Sequence, residues 1–146
     1  MRGYFGVGIW HGKTEMNLGT LWRSAHCFGA QFIFAIGKRY KKQSSDTTKA
    51  FRHIPLFEFT HFDGFYDSMI PYDCQVIGIE ITEGNQLLNK FVHPDRCIYL
   101  LGAEDHGLSQ EILSRCHKVV QIPSVYCLNV AVAGSIVMYD RILKRS

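Results

Sequence analysis

The chain has 146 residues, of which 47% are hydrophobic and 20% charged, and its formal net charge is +3 at pH 7. This balance excludes a disordered or collagen-like chain, and no apolar run approaches the roughly 20 residues that span a bilayer. The length predicts a single domain over residues 1–146, and the mild positive charge permits an anionic partner without requiring one.

Short apolar runs alternate with amphipathic stretches along the chain, which is typical of an α/β fold with a mostly parallel sheet flanked by helices. Apolar runs predict strands over 4–10, 31–36, 54–60, 75–81, 97–101 and 118–122. Apolar residues that recur every three or four positions predict helices over 18–28, 109–116 and 128–144.

Local signals refine the first and last helices. Asn17 is the expected N-cap of the first helix, and Gly29 is a suitable stop. The last helix is apolar on more than one face as far as Asp140. We therefore expect the sheet to cover one of its faces and something else, with a partner subunit as one candidate, to cover another.

The chain has five cysteines, an odd number, and no two of them form a CxxC pair. We interpret them as buried free thiols in a reducing cytosol, which predicts a cytoplasmic protein. The N-terminal stretch lacks the apolar core of a signal peptide, so no membrane partner is expected.

Several common sites are excluded by their missing patterns. The glycines at 3, 6 and 8 do not have the spacing of a dinucleotide-binding GxGxxG, and neither a P-loop nor a GxSxG elbow occurs. The seven histidines form no HxxxH or HExxH pair, so no metal is expected.

Three candidate residues have two interpretations each. Arg23 is either a solvent-facing helix arginine or a guanidinium aimed at a ligand crevice. Glu104 lies in a glycine-containing loop that either only turns the chain or approaches a ligand closely. Asn129 either caps the last helix or contributes to a site. A ligand is expected beyond the carboxyl ends of the strands, where the loops 11–18, 82–86, 102–109 and 123–128 lie.

Three short segments, each at a strand end or a helix start, follow one another in order. They are NLGTLWRSA over 17–25, LLGAEDHGLS over 100–109, and IP at 122–123 followed by CLNVAVA over 127–133. Together they resemble the three signature motifs of the SPOUT RNA methyltransferases, TrmH-like (SpoU) branch, and the resemblance covers residues 4–142. The third motif has Cys127 where serine is usual.

That resemblance implies both a fold and a chemistry. SPOUT enzymes have an α/β fold with a C-terminal trefoil knot, use S-adenosylmethionine and act as homodimers. TrmH-like members mostly methylate a ribose 2′-hydroxyl in tRNA or rRNA. The alternatives are methylation of an RNA base by the same fold and a catalytically degenerate RNA-binding module.

The resemblance also implies the site residues. Arg23 matches the catalytic arginine, Asn17 the first-motif asparagine that helps shape the site, and Glu104 and Asn129 the second-motif and third-motif residues. The expected cofactor contacts are Glu80, Ile81, Thr82, Gly84, Gly102, Glu104, Ile122, Cys127, Leu128 and Val132.

The basic segment after the second strand is either a solvated loop or a surface that contacts RNA phosphates. With RNA as the expected ligand, the candidate RNA contacts are Arg23, Lys38, Arg39, Lys41 and Lys42. No appended RNA-binding domain is apparent, so recognition of the RNA would fall to a dimer surface or to a partner.

Overall fold

The computed structural model describes residues 3–38, 53–69, 73–80, 86–103 and 105–145. The strands in these ranges are β1 (Tyr4–Trp10), β2 (Phe32–Ile36), β3 (Leu56–Phe59), β4 (Gln75–Ile79), β5 (Gln86–Leu87), β6 (Arg96–Gly102) and β7 (Lys118–Gln121). The helices are α1 (Glu15–Cys27), α2 (Phe62–Met69), α3 (Gln110–Arg115) and α4 (Val130–Arg145), with a 3₁₀ turn at Leu88–Lys90.

These strands form one sheet in the order β3-β2-β1-β6-β4-β7-β5, and the pairs described between them are all parallel. The predicted α/β class is therefore confirmed. The first three strands extend from β1 toward one edge, whereas the later strands lie on its other side. Ligands of such sheets bind beyond the carboxyl ends of the strands, near the place where the strand order reverses.

Helices cover the sheet on both faces, which explains why the central strands read as unbroken apolar runs. On one face, α1 and α4 pack against inward side chains such as Val7 and Tyr99. On the other, α2 and α3 pack against a second cluster that includes Phe34 and Leu100. α1 and α4 also contact each other directly, so they form one layer above the middle of the sheet.

The cap of α1 differs from the prediction. The helix begins at Glu15, and Thr14 is its N-cap, with a side-chain oxygen that accepts a hydrogen bond from the backbone N–H of Asn17 at 3.2 Å. The prediction of Asn17 as the N-cap was wrong, because the hydroxyl of Thr14 reaches the amide three residues later. The predicted stop is confirmed, since Gly29 follows the helix with a left-handed φ of +83°.

Two of the cysteines are not buried as predicted. All five thiols are free, and Cys74 and Cys97 lie in the core. Cys27 is exposed at the last residue of α1, and Cys127 is exposed in the loop before α4. The apolar neighbours of these two residues in the sequence do not place their own side chains in the core.

The sheet covers only part of α4, as the sequence indicated. A row of its apolar side chains at helical spacing stays exposed: Val132, Ile136, Tyr139 and Leu143. We call this row the α4 stripe. None of the helices in the described ranges is both long and apolar enough to cross a membrane.

Candidate functional site

A cleft of about 370 Å³ opens at the carboxyl ends of β4 and β6, beside the end of β7 and the start of α4. Its lining is mostly aliphatic or glycine, with a few polar groups: Ile79, Glu80, Leu101, Gly102, Ala103, Asp105, His106, Gly107, Leu108, Gln110, Leu113, Ile122, Cys127, Leu128, Val130 and Ala133. The volume lies within the roughly 300–1,000 Å³ that small-molecule sites occupy.

The loop after β6 forms one wall of this cleft and is folded tightly on itself. The backbone N–H of Gly107 donates to the carbonyl of Ala103 at 2.7 Å, and Gly107 has a left-handed φ of +62°. A Cβ on Gly102 would lie 2.3 Å from the carbonyl carbon of Gly107. Glycine is therefore required at Gly102, because the two ends of the loop approach each other backbone to backbone.

Glu80 ties this loop to the neighbouring strands. One of its carboxylate oxygens, Oε2, accepts a hydrogen bond from the backbone N–H of Leu108 at 2.7 Å. Its own backbone N–H donates to the carbonyl of Val120 at 3.1 Å. A carboxylate bonded to a backbone amide makes a charge-assisted hydrogen bond, so Glu80 holds the loop against the end of β4.

Asn17 and Asn129, which are 112 positions apart, meet beside the cleft. The side-chain Nδ2 of Asn129 donates to Oδ1 of Asn17 at 3.1 Å. The Oδ1 of Asn129 accepts from the backbone N–H groups of Ala131 and Val132 at 2.9 and 3.2 Å. Asn129 therefore caps α4, as one of its two interpretations expects, and contacts the first motif with the same amide.

Arg23 lies on the exposed face of α1 and does not line the cleft of its own chain. The residues that α1 buries are Leu18, Leu21 and Ala25. Arg23 is one turn from Thr20, which lines a shallow apolar depression together with the α4 stripe residues Val132 and Ile136. Arg23 therefore lies on α1 one turn from a residue beside the stripe, and outside the lining of the cleft.

The structure brings half of the expected cofactor contacts together. Glu80, Gly102, Ile122, Cys127 and Leu128 line the cleft. Val132 does not line the cleft, because its side chain lies on a different face of α4, in the exposed α4 stripe. Ile81, Thr82, Gly84 and Glu104 lie outside the described residues.

The expected RNA contacts are only partly described. Arg39, Lys41 and Lys42 lie outside the described residues. Lys38 lies two residues beyond the end of β2 and forms an ion pair with Glu58 at 3.0 Å. Lys38 therefore lies at the same edge of the sheet as the cleft.

Sequence reasoning missed the contribution of α3 to the cleft, and on α4 it named Val132 rather than the residues that line the cleft. Leu113 of α3 and Val130 and Ala133 of α4 line it. In α4, the sequence feature that could have indicated this lining is Ala133, because its small side chain leaves room beside the strand ends. Leu113 gives no such signal, because its role depends on how α3 packs against the sheet.

The fold and the cleft define the class: an open, parallel α/β protein with a small-molecule site at the carboxyl ends of its strands. Within that class, a family model described as the SpoU rRNA Methylase family matches residues 6–139. The chain belongs to this family.

Relatives and solved structures agree with that membership. The chain is 28% identical over 137 residues to a Staphylococcus aureus protein assigned to the TrmH family of tRNA/rRNA methyltransferases, covering 88% of this chain and 54% of the relative. The chain thus spans about half the length of that relative.

Two solved structures share the fold. The SpoU methyltransferase AviRb from Streptomyces viridochromogenes, in complex with AdoMet, has a TM-score of 0.86 at 21% identity, covering 99% of this chain and 59% of that one. A second solved structure, whose subject is the 2-OH methylation of C/U34 on tRNA, has a TM-score of 0.84 at 21% identity. The match covers 98% of this chain and 97% of that one.

Proposed function

We propose that this chain is an S-adenosylmethionine-dependent RNA methyltransferase that modifies a ribose 2′-hydroxyl of tRNA or rRNA. The observation that carries the proposal is the glycine- and aliphatic-lined cleft at the carboxyl ends of β4 and β6, in a chain of the SpoU family. AviRb, which has the same fold, was solved with AdoMet.

The residues of the cleft fit this cofactor. Backbone groups near Gly102, Ile122 and Leu128 offer donors and acceptors for an adenosine, and the aliphatic side chains between them offer an apolar face. A Cβ at Gly107 would occupy space next to the Glu80 carboxylate. S-adenosylmethionine, when bound, supplies an electrophilic methyl group.

The remaining groups orient the RNA and stabilise charge. We assign Arg23 to hold a phosphate or the 2′-hydroxyl, because an arginine at its ordinary pKa is a poor base but a strong donor. We assign the Asn17–Asn129 pair to fix the start of α4 beside the methyl group, and Glu104 to the same site. Holding both reactants in line accounts for much of the catalysis of such a transfer.

We propose a homodimer joined through the α4 stripe. Four apolar side chains in a row on one helix form a patch of the kind that marks an interaction surface. The cleft and the stripe are contiguous along α4, since Val130 lines one and Val132 belongs to the other. A partner docked there would bring its own Arg23 toward this cleft, which Arg23 of the same chain does not line.

Further parts of the proposal follow from the family. The domain is a single methyltransferase unit, and its C-terminal segment forms the trefoil knot of SPOUT proteins. A knot requires the chain between β7 and α4 to pass through the loop after β4, in which residues 81–85 lie outside the described residues. We place the protein in the cytoplasm because tRNA and rRNA are there. The basic residues Lys38, Arg39, Lys41 and Lys42 are proposed to contact RNA phosphates.

The test is calorimetric titration with S-adenosylmethionine and S-adenosylhomocysteine, followed by transfer of a tritiated methyl group to bulk tRNA and rRNA. We expect micromolar binding and 2′-O-methylnucleosides after nuclease digestion. A methylated base instead would show the base-modifying reaction of the same fold. RNA binding with no cofactor affinity and no transfer would identify a degenerate RNA-binding module.

A further inference from the structure

A second cavity lies at the same edge of the sheet, beyond the carboxyl ends of β1, β2 and β3. It measures about 250 Å³ and is lined by aromatic and polar side chains, among them Trp10, His11, His61, Phe62 and Glu111. This volume is below the usual range for drug-sized ligands, so the cavity suits something smaller, such as one planar ring system.

One wall of this cavity is an aromatic pair held in place by the backbone. The imidazole of His11 packs on the indole of Trp10 with their ring centroids 4.1 Å apart and their planes inclined at 32°. His11 has a left-handed φ of +57°, and its backbone N–H donates to the carbonyl of Ile36 at 2.8 Å. A Cβ on Gly37 would lie 3.0 Å from the imidazole, so the ring fills the space that this glycine leaves. An uncommon backbone conformation at a non-glycine residue often marks a functional position.

A guanidinium that lies over an aromatic ring also lines the cavity. The guanidinium of Arg115 lies 4.8 Å from the centroid of the Phe62 ring and is ion-paired with Asp63. Aromatic rings and arginine planes are the two kinds of surface on which proteins stack unpaired RNA bases.

The charges in the cavity favour a base over a phosphate. Two carboxylates, Asp63 and Glu111, line the cavity together with the imidazoles of His11 and His61 and one guanidinium, which is already paired with Asp63. The carboxylate of Glu111 disfavours an anionic phosphate, whereas it can accept hydrogen bonds from the amino and imino groups of a base. The hydroxyl of Ser109, which also lines the cavity, caps α3 by accepting from the N–H of Ile112 at 3.3 Å.

The second cavity and the cofactor cleft are neighbours on the two sides of α3. Gln110 and Leu113 line the cleft, whereas Glu111, Ile112 and Arg115 line the second cavity. They are thus separated by about one helix diameter, roughly 10–12 Å. A short stretch of single-stranded RNA can cover that separation.

We propose that this second cavity binds one unpaired nucleobase of the RNA substrate, a few nucleotides from the methylated ribose. The base stacks on the His11–Trp10 pair, and the carboxylate of Glu111 accepts a hydrogen bond from its edge. The inference rests on the proposed function for its substrate class, but the binding itself requires no methyl transfer.

The test compares the binding of fluorescent ten-residue oligoribonucleotides, oligo-A, oligo-C and oligo-U, with that of an abasic ribose-phosphate oligomer of equal length and charge. At least one base-bearing oligomer is expected to bind about tenfold or more tightly than the abasic one, because stacking of one base carries a gain of this size. His11→Asn tolerates the left-handed backbone but removes the ring, and Glu111→Gln removes the charge. His11→Asn should lose most of the difference, whereas Glu111→Gln, which keeps a carbonyl acceptor but loses the charge-assisted hydrogen bond, should lose part of it.

Matched controls separate this site from general effects. His26→Asn, at the far end of α1, and Asp73→Asn, an exposed position before β4 at the opposite edge of the sheet, should keep the difference. A thiouridine-containing oligomer should photocrosslink to Trp10, His11 or Phe62. The inference is overturned if the unchanged protein binds base-bearing and abasic oligomers with equal affinity, or binds neither. It is also overturned if His11→Asn and Glu111→Gln keep the full difference in affinity between the two kinds of oligomer. Cofactor binding by those two variants is measured alongside, and its presence shows that the proposed function stands even if the base site does not.

Discussion

At the scale of single residues, the close approach of Gly107 to Glu80 lies in the wall of the proposed cofactor cleft. A Cβ on Gly107 would lie 2.4 Å from Oε2 of Glu80, the atom that accepts the hydrogen bond from Leu108. Gly107→Ala therefore adds a clash to the roughly 1–2 kcal/mol that a left-handed conformation costs a residue with a Cβ. We expect its affinity for S-adenosylmethionine, measured by calorimetry, to fall about tenfold or more, which corresponds to roughly 1.4 kcal/mol.

Gly29→Ala is the matched control for this substitution. Gly29 also has a left-handed φ, +83°, but no atom lies within 4 Å of the position of an added Cβ, and the residue is outside the cleft. We expect a similar loss of thermal stability and an unchanged cofactor affinity. Cofactor binding by Gly107→Ala at the strength of the unchanged protein would show that the Glu80 contact does not shape the cleft.

The sequence motifs predicted contacts between distant residues only where both residues occupy motif positions. Asn17 and Asn129 were both expected in one site, and their amides are hydrogen-bonded. Nothing local in the sequence indicates that Glu80 bonds the N–H of Leu108, because that contact depends on how β4 and β6 pair. Val132 shows the converse limit, since matching a motif does not determine which face of α4 a side chain occupies.

At the scale of the elements, the buried strands were the most predictable part of the fold. β1 has the predicted bounds, and β6 extends one residue beyond the predicted strand at each end, because a strand covered on both faces is an unbroken apolar run. The helix α2 was missed, although Phe62, Phe65, Tyr66 and Met69 follow helical spacing within its eight residues. β5 has only two residues and depends on its pairing with β7.

The C-terminal part of α4 is anchored to the segment before β6 by buried polar groups. Arg141 donates to the carbonyls of Pro94 and Asp95 at 2.8 and 2.9 Å and to the hydroxyl of Tyr99 at 3.1 Å. The imidazole of His93 bridges the Tyr99 hydroxyl and the Asp140 carboxylate at 2.6 and 2.7 Å. These contacts satisfy groups that would be costly to bury alone.

This anchor should make the stability of the fold depend on pH. Burial lowers the pKa of His93 below its ordinary value near 6.5, against the opposing effect of Asp140, and the nearby charges of Lys144 and Arg141 lower it further. The unfolded chain then takes up a proton from about pH 6.5 downward while the folded chain does not. The free energy of unfolding should therefore fall with pH from there to the folded pKa, by at most about 1.4 kcal/mol per pH unit from this group.

His93→Gln isolates that contribution, because glutamine can bridge the same partners without titrating. Urea unfolding of both proteins between pH 7.5 and 5, at one protein concentration, should give a shallower pH dependence for the variant. The other histidines are present in both proteins and cancel in the comparison. The same slope in both would contradict a neutral, buried His93.

At the scale of the whole molecule, the α4 stripe should determine the oligomeric state. Tyr139 lies within the stripe, is 52% exposed, and contacts Phe28 with ring centroids 6.1 Å apart. In a twofold dimer, Tyr139→Asp introduces one buried negative charge from each of the two subunits into the same interface. We expect light scattering to show a dimer for the unchanged protein and a monomer for this variant, since the loss of a central aromatic contact typically weakens association by roughly 2 kcal/mol or more.

Phe57→Asp is the control for that substitution, because Phe57 is 43% exposed and lies on the edge strand β3, where it packs against Phe32 on the face of the sheet opposite α4. It should remain a dimer. A monomeric unchanged protein, or a dimeric Tyr139→Asp, would contradict an interface at the α4 stripe.

If the dimer also completes the active site, two impaired variants should restore activity when mixed at a cofactor concentration too low to occupy the cleft of Gly107→Ala. Arg23→Ala keeps an intact cleft, whereas Gly107→Ala keeps Arg23 but distorts its cleft. In a mixed dimer, the cleft of one chain would face the intact Arg23 of the other. With full exchange half of the dimers are mixed and each has one intact site of two, so about a quarter of the unchanged methyl-transfer activity should return.

Subunit exchange is carried out by mild denaturation and refolding of the two variants together, and tritium transfer to RNA is measured against each variant refolded alone. The double variant Arg23→Ala/Gly107→Ala, exchanged with the unchanged protein, is the control for the exchange itself. If the site is shared between subunits, the mixed dimers of this control contain no intact site. The cleft of the unchanged chain faces the alanine at position 23 of the double variant, and the intact Arg23 faces the distorted cleft of the double variant. If Arg23 instead serves the cleft of its own chain, the first mixture stays inactive and the second keeps one working site in each mixed dimer.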